Sequence, residues 1–414
     1  MKRWALSAIL SAAGAILMLT GCSGNRNDLG DMYHFGTDYP YFFHEQANRM
    51  HISAAEQGYY FLNGNYIYYA DRSDLNPVLL DNRPDSDCLN ASGERPQNCS
   101  AYVHTEMLTG FLQYYDGKLY VLESETVYGN SGELLRRAQL LEISGDGSTR
   151  KRVMSFDFPP KGIAIHRGVL YYSTEDFGRD SDYAYGAMQI PLNDPFAKPT
   201  PIYQGDLKLG QIQDIIPYGN HVYMLEIAEN TYRTLRYDIK EKKTYVIFTD
   251  RPGEHAAIQG IFDDRLIFGY FYGDPKDERS HVIYATDLKG EHIERLPIYR
   301  TFINNVYPSG EYLFVRPVWF YLRDDEFKHI PHELTVYDRQ YREVDRIDLS
   351  FLPVYHHLSA GDEHFMFARV GGEGIQDLYV LDKKEIGTGR ASFKPMIRGL
   401  NGEAPTPEGA ESPS

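Results

Sequence analysis

Outside its first twenty positions the chain has almost none of the Ala-rich or Leu-rich stretches at helical spacing that build bundles and α/β folds. Cysteine is scarce, three in 414 residues, which excludes a disulfide-dense scaffold. Positive charge is in deficit, 42 Lys and Arg against 58 Asp and Glu. The basic residues never gather into a block, which argues against nucleic acid and against a polybasic membrane contact. No apolar run reaches the roughly 20 residues of a membrane-spanning helix. The hydrolase elbow, the paired-histidine zinc helix, the phosphate loop and the calcium loop are all missing, so no cofactor is implied and no residue is assigned to catalysis or to a metal. His356-His357 and His329-Ile330-Pro331-His332 are the densest histidine clusters. A metal role would require them to converge with carboxylates such as Asp362 and Glu363; scattered surface or core histidine is the simpler reading.

What is present begins at the N-terminus. Lys2 and Arg3 precede an apolar stretch over residues 4–18, followed by Leu19-Thr20-Gly21-Cys22. A basic start, a short apolar centre and small residues before a cleavage point form a secretory signal. The Leu19-Thr20-Gly21-Cys22 motif resembles the lipobox of bacterial lipoproteins. That resemblance implies a diacylglyceryl group on the Cys22 sulfur, removal of residues 1–21, and residence on the outer face of the cell membrane. Cleavage takes away two bases and no acid, moving the formal charge from −16 to about −18. Residues 22–48 are read as the lipidated cysteine and its tether, polar and Gly-rich over 23–31. The assignment continues with a repeat domain over 49–398 and a disordered tail over 399–414.

Tyrosine is abundant, 34 residues beside 21 Phe. Tyr, Phe, Val and Ile fall in short runs between Gly, Asp, Asn and Pro, the pattern of an all-β fold. One pattern recurs, a turn residue followed by an alternating Tyr-rich strand: Gly58-Tyr59-Tyr60, Gly117-Lys118-Leu119-Tyr120, Gly168-Val169-Leu170-Tyr171, Gly219-Asn220-His221-Val222-Tyr223, Asp264-Arg265-Leu266-Ile267-Phe268, Gly310-Glu311-Tyr312-Leu313 and, more loosely, Gly361 before Phe365. A second strand follows and often ends in aspartate, as at Asp71, Asp238, Asp287, Asp338 and Asp382. A near-constant period of about 50 residues with four strands in each marks a β-propeller. Seven blades are expected. Ambiguous flanks at Met50-His51-Ile52 and at 393–397 leave six or eight open, and two packed β-sandwiches are the rival fold.

The first repeat carries a closer likeness. Residues 58–71, then Leu79-Leu80-Asp81-Asn82-Arg83-Pro84-Asp85, Cys88 and Cys99-Ser100-Ala101-Tyr102, resemble a group of uncharacterised propeller-like lipoproteins of Gram-positive bacteria. Those commonly read Leu-Cys-Asn-Lys-Pro-Asp-Cys-x-His and then Cys-Asn-Ala-Tyr. Here Asp81 replaces the first Cys and Asn90 the His. The resemblance implies location and fold, and no activity. With Cys22 taken by lipid, Cys88 and Cys99 are the remaining pair in an exported chain and are expected to form a disulfide; free thiols and a metal site are the alternatives.

In a four-stranded meander, the link from strand two to three and the link to the next blade share one face. The longest links, 123–137, 175–185, 270–280 and 317–332, are of this kind, and the cysteine segment is expected to open on the same face. Loops on a rigid scaffold usually carry binding residues. Phe177, Tyr183, Trp319 and Tyr321 are therefore the candidate ligand contacts. The expected function is a binding or scaffold module at the cell envelope, with a glycan, a peptide or an envelope protein as partner. A secreted polysaccharide hydrolase or lyase on the same scaffold is the alternative. A tight group of two carboxylates and a histidine at the channel mouth would favour the enzyme.

Overall fold

The computed structural model describes residues 30–45, 50–88, 96–105, 110–128, 134–177, 183–194, 196–228, 231–250, 254–272, 282–299, 304–317, 332–352, 356–359, 361–370 and 376–397. Its strands form seven four-stranded antiparallel sheets, each made of four strands consecutive in sequence. The sheets are the blades of a β-propeller: 52–79, 112–156, 163–204, 210–249, 254–299, 304–348 and 356–397. Met50-His51-Ile52 leads into the innermost strand of blade 1, Ile52–Ala54, and Lys394–Ile397 is the outermost strand of blade 7. The sandwich alternative is excluded.

Local chemistry explains the repeat. The turn from first to second strand has both central residues at positive φ at Asp116-Gly117, Arg167-Gly168 and Asp263-Asp264, the two-residue turn whose twist matches that of antiparallel strands. The aspartates that end the third strands accept backbone N–H bonds from the turn that follows: Asp71 from Ser73, Asp238 from Lys240 and Glu241, Asp287 from Lys289 and Glu291, Asp338 from Gln340 and Arg342. Each closes its turn with its own side chain. Second-strand tyrosines tie neighbouring blades together. Tyr60 donates to the Gly145 carbonyl of blade 2 at 2.8 Å, and Tyr223 to the Leu288 carbonyl of blade 5 at 2.7 Å.

Because every blade is built from consecutive strands, no shared blade joins the two ends of the ring, and side chains make that joint. The Asn63 carboxamide donates to the Gln376 carbonyl and accepts from the Gln376 N–H, both at 2.8 Å. It stands in for a strand partner. Tyr59 and Phe61 meet Phe365 and Phe367 edge-on across the joint with centroids 5.2–5.9 Å apart, and Tyr59 donates to buried Asp362 at 2.6 Å. Between blades 6 and 7, fully buried Lys383 donates to Ser309 Oγ and to the Asp362 carbonyl.

The cysteines are joined: Cys88 and Cys99 form a disulfide with Cα atoms 4.9 Å apart, within the range a bridge requires. Its setting differs from the expected loop-face opening. Leu80 pairs with Ile67, and Ala101 and Val103 pair with Ile67 and Asn65, so an excursion interrupts the outermost strand of blade 1 between Leu80 and Ala101. It leaves the blade's outer edge and packs toward blade 2, where Arg150 donates to the Ser100 carbonyl. Asp81 ties its two stems through Ser100 Oγ at 2.7 Å, and Asp87 accepts the N–H groups of Gln97 and Asn98 at 2.8 and 2.9 Å. Opening the bridge with Cys88→Ser is expected to cost about 3 kcal/mol of unfolding free energy. Denaturant melts of oxidised wild type and variant measure it, and equal midpoints would contradict it.

Candidate functional site

Alternation of strands gives the propeller a turn face, holding the turns between first and second and between third and fourth strands, and a loop face, holding the remaining links. The channel between these faces is occupied by the protein's own N-terminal segment. Asp31–Glu45 lies within the stretch read as tether, but it is packed from one face toward the other. It enters at the turn face, where Arg167 clamps it. The guanidinium donates to both Asp38 oxygens at 2.9 and 3.0 Å, to the Gly30 and Met32 carbonyls, and to Asn220. Gly219, at φ +57°, permits this entry, since a Cβ there would lie 2.6 Å from the Asp31 carbonyl oxygen.

Deeper in, buried His166 accepts the Tyr39 N–H at Nδ1, 3.1 Å, and donates from Nε2 to the Gly219 carbonyl, 2.8 Å. Burial lowers its pKa to about 4, so it is a neutral structural histidine. A short 3₁₀ turn, Tyr41–Phe43, sets Tyr41 edge-on to Tyr218 of blade 4 at 5.0 Å and Phe43 against Tyr59 and Phe367 at the ring joint. At the far end Glu45 is buried. It accepts from Arg369 at 2.6 Å and Ser359 at 2.7 Å, with His51 at 3.3 Å. The segment thus meets blades 1, 3, 4 and 7 by side chain and blade 2 through Asp116 N–H to the Gly36 carbonyl. Over residues 38–45 it is buried or half-buried and hydrogen-bonded, and there it makes the channel part of the core.

The loop face carries the links between second and third strands. In blade 2 the strands Lys118–Tyr128 and Leu134–Ser144 stay paired to Tyr128↔Leu134, while the outer strand stops at Ala138↔Phe156 and the inner at Leu112↔Val121. Four residue pairs therefore project as a two-stranded arm. Blade 3 repeats this, ending in the pair Phe177↔Tyr183. Phe177 and Tyr183 are brought together at the tip of that arm, with their side chains outside the described residues. Trp319, Tyr321 and Cys22 also lie outside them. At the root of the blade 2 arm is a recess of about 760 Å³ walled by His104, Glu123, Arg137, Arg152 and Phe158. Phe158 is 42 % exposed, and Gln139 donates to Glu123 at the floor. An aromatic face beside several charged hydrogen-bonding groups suits a polar ligand with an apolar face.

Metal-competent groups lie elsewhere. Among the described residues two trios could hold an ion, Asp81 with Cys88 and Cys99, and Asp287 with Glu291 and His292. In the first the sulfurs are bonded to each other; the second is a turn whose aspartate is already occupied by backbone N–H groups. Asp362, considered above as a partner for histidine, is buried and taken up by Tyr59 and by the N–H groups of His364 and Phe365.

No protein-family profile matches the chain, and no curated protein matches it in sequence. Solved structures do resemble it. A prolyl endopeptidase shares 12 % identity with a TM-score of 0.52, over 96 % of this chain and 56 % of that one. Prolyl oligopeptidase B from Galerina marginata shares 10 % identity with a TM-score of 0.52, over 82 % and 49 %. The chain spans about half the length of these peptidases, and at such identities the likeness is one of fold.

Proposed function

We propose that the protein is a lipid-anchored binding module on the outer face of the cell membrane, tethered through Cys22 and taking up an envelope glycan on its loop face. One observation carries the reading of the face: the channel is filled by the protein's own chain, whereas the loop face bears the projecting arms and the recess beside Phe158. A glycan fits the recess because a sugar ring stacks on an aromatic face while its hydroxyls meet groups such as Glu123, Arg137 and Arg152.

Two experiments test the two halves. Cys22→Ala is expected to release the protein into the medium or block its processing; a variant still membrane-bound and normally processed contradicts the anchor. On an array of envelope glycans, Phe158→Ala is expected to weaken binding roughly tenfold, the value of one stacking contact, and Trp319→Ala to weaken it also. Phe196→Ala, on the turn face, should leave it unchanged. An array without hits, or hits indifferent to Phe158 and Trp319, would count against the glycan.

A further inference from the structure

We infer that the turn face lies against the lipid bilayer and that the loop face points away from it. The inference rests on the anchor reading of Cys22 and adds to it the surface that meets the membrane.

The first argument is reach. The chain enters the propeller at the middle of the turn face, where Gly30, Met32 and Asp38 are held by Arg167 and Asp31 is held by Asn220. Seven residues lie between Cys22 and Gly30, and the eight Cα-to-Cα steps span at most about 29 Å when fully extended. To bring the loop face down instead, the link would first have to cross the turn face to its rim. It would then have to climb a blade whose inner strand Gly210–Tyr218, nine residues, is itself about 30 Å tall. The link is too short for that path.

The second argument is independent of length. The turn face shows large apolar side chains to solvent, two beside the entry point and one on the outer part of blade 3. Met32 is 72 % exposed and Phe35 47 %. Phe196, in the turn between the third and fourth strands of blade 3, is 89 % exposed. On the turn face these side chains suit the headgroup boundary, where apolar groups are buried without crossing the membrane. A net charge of about −18 argues against attraction to anionic lipid as the holding force, and the holding contacts proposed are the anchor and these apolar side chains.

The test places single tryptophans in the full-length lipidated protein reconstituted in vesicles. Of the two native tryptophans, Trp4 lies in the segment removed on processing, so Trp319→Phe gives a silent background. Phe35→Trp or Phe196→Trp is then expected to lose emission in vesicles of lipid brominated in the upper acyl chain, and Phe158→Trp on the loop face to keep it. Mass analysis of the N-terminal peptide reads the anchor separately. A lipid-free Cys22 would overturn the anchor reading. A lipidated Cys22 with Phe158→Trp quenched, or with none of the three quenched, would overturn the orientation alone.

Discussion

Arg369→Met will lower the unfolding free energy by about 3–5 kcal/mol at neutral pH. The guanidinium meets Glu45 at 2.6 Å and Gln376 at 3.0 Å, and the two charged side chains are 7 % and 5 % exposed. Removing one partner of a buried pair leaves the other desolvated and uncompensated, which costs far more than the pair contributes. Burial alone raises the Glu45 carboxyl. Arg369, His51 and the Ser359 hydrogen bond more than reverse this and hold it well below the usual carboxylate range. A depressed carboxylate stabilises the fold above the unfolded value of about 4.3 and loses that stabilisation as pH falls. The deficit of Arg369→Met should therefore be largest near pH 7 and shrink toward pH 3–4, where Glu45 in the variant takes up its proton. Adding Glu45→Gln should recover part of the loss. Chemical melts across this range measure it, and equal stability at pH 7 would contradict the contact.

Between pH 7 and 10 the protein should gain stability as pH rises, and Lys383→Met should not show the gain. Burial pushes Lys383 from 10.5 down to about 7, against the attraction of Asp362 and Glu363. In that window the unfolded chain binds a proton that the folded protein does not, and stability rises wherever the unfolded state holds more protons. The difference in pKa makes the gain on the order of 4 kcal/mol. The window closes near pH 10, where buried tyrosines act in the opposite sense: Tyr59 and Tyr223 are pushed above 10 by burial and favour unfolding as the unfolded chain ionises. Wild type and variant with parallel pH profiles would show that Lys383 stays charged in the fold.

Much of this architecture was legible in the residues because a blade is a local object. Its turns need positive φ, and Asp-Gly and Arg-Gly supply it. The aspartates ending third strands were visible as a pattern before their role in closing the turn was seen. Strand parity correctly put the long hairpins on one face. The filled channel was missed because composition near residues 23–31 is that of a tether. The aromatic run Tyr39-Pro40-Tyr41-Phe42-Phe43 was the available signal, since a solvated linker has no use for it. The recess at blade 2 could not be read in advance: His104, Glu123, Arg152 and Phe158 come from separate links and strands, and only the folded blade brings them together. The cysteine excursion was misplaced for a related reason. Its two stems resume pairing on the same strand, a register that sequence spacing does not display.

The proposed loop-face reading rests on the filled channel, and backbone hydrogen exchange over residues 38–44 tests that filling most directly. The amides of Asp38, Tyr39, Phe43 and His44 are bonded to the His34 carbonyl, His166 Nδ1 and the Pro40 and Tyr41 carbonyls, beneath seven blades. They are expected to exchange as slowly as the inner blade strands, by global opening. Exchange at the rate of a free tether would show that the segment does not occupy the channel.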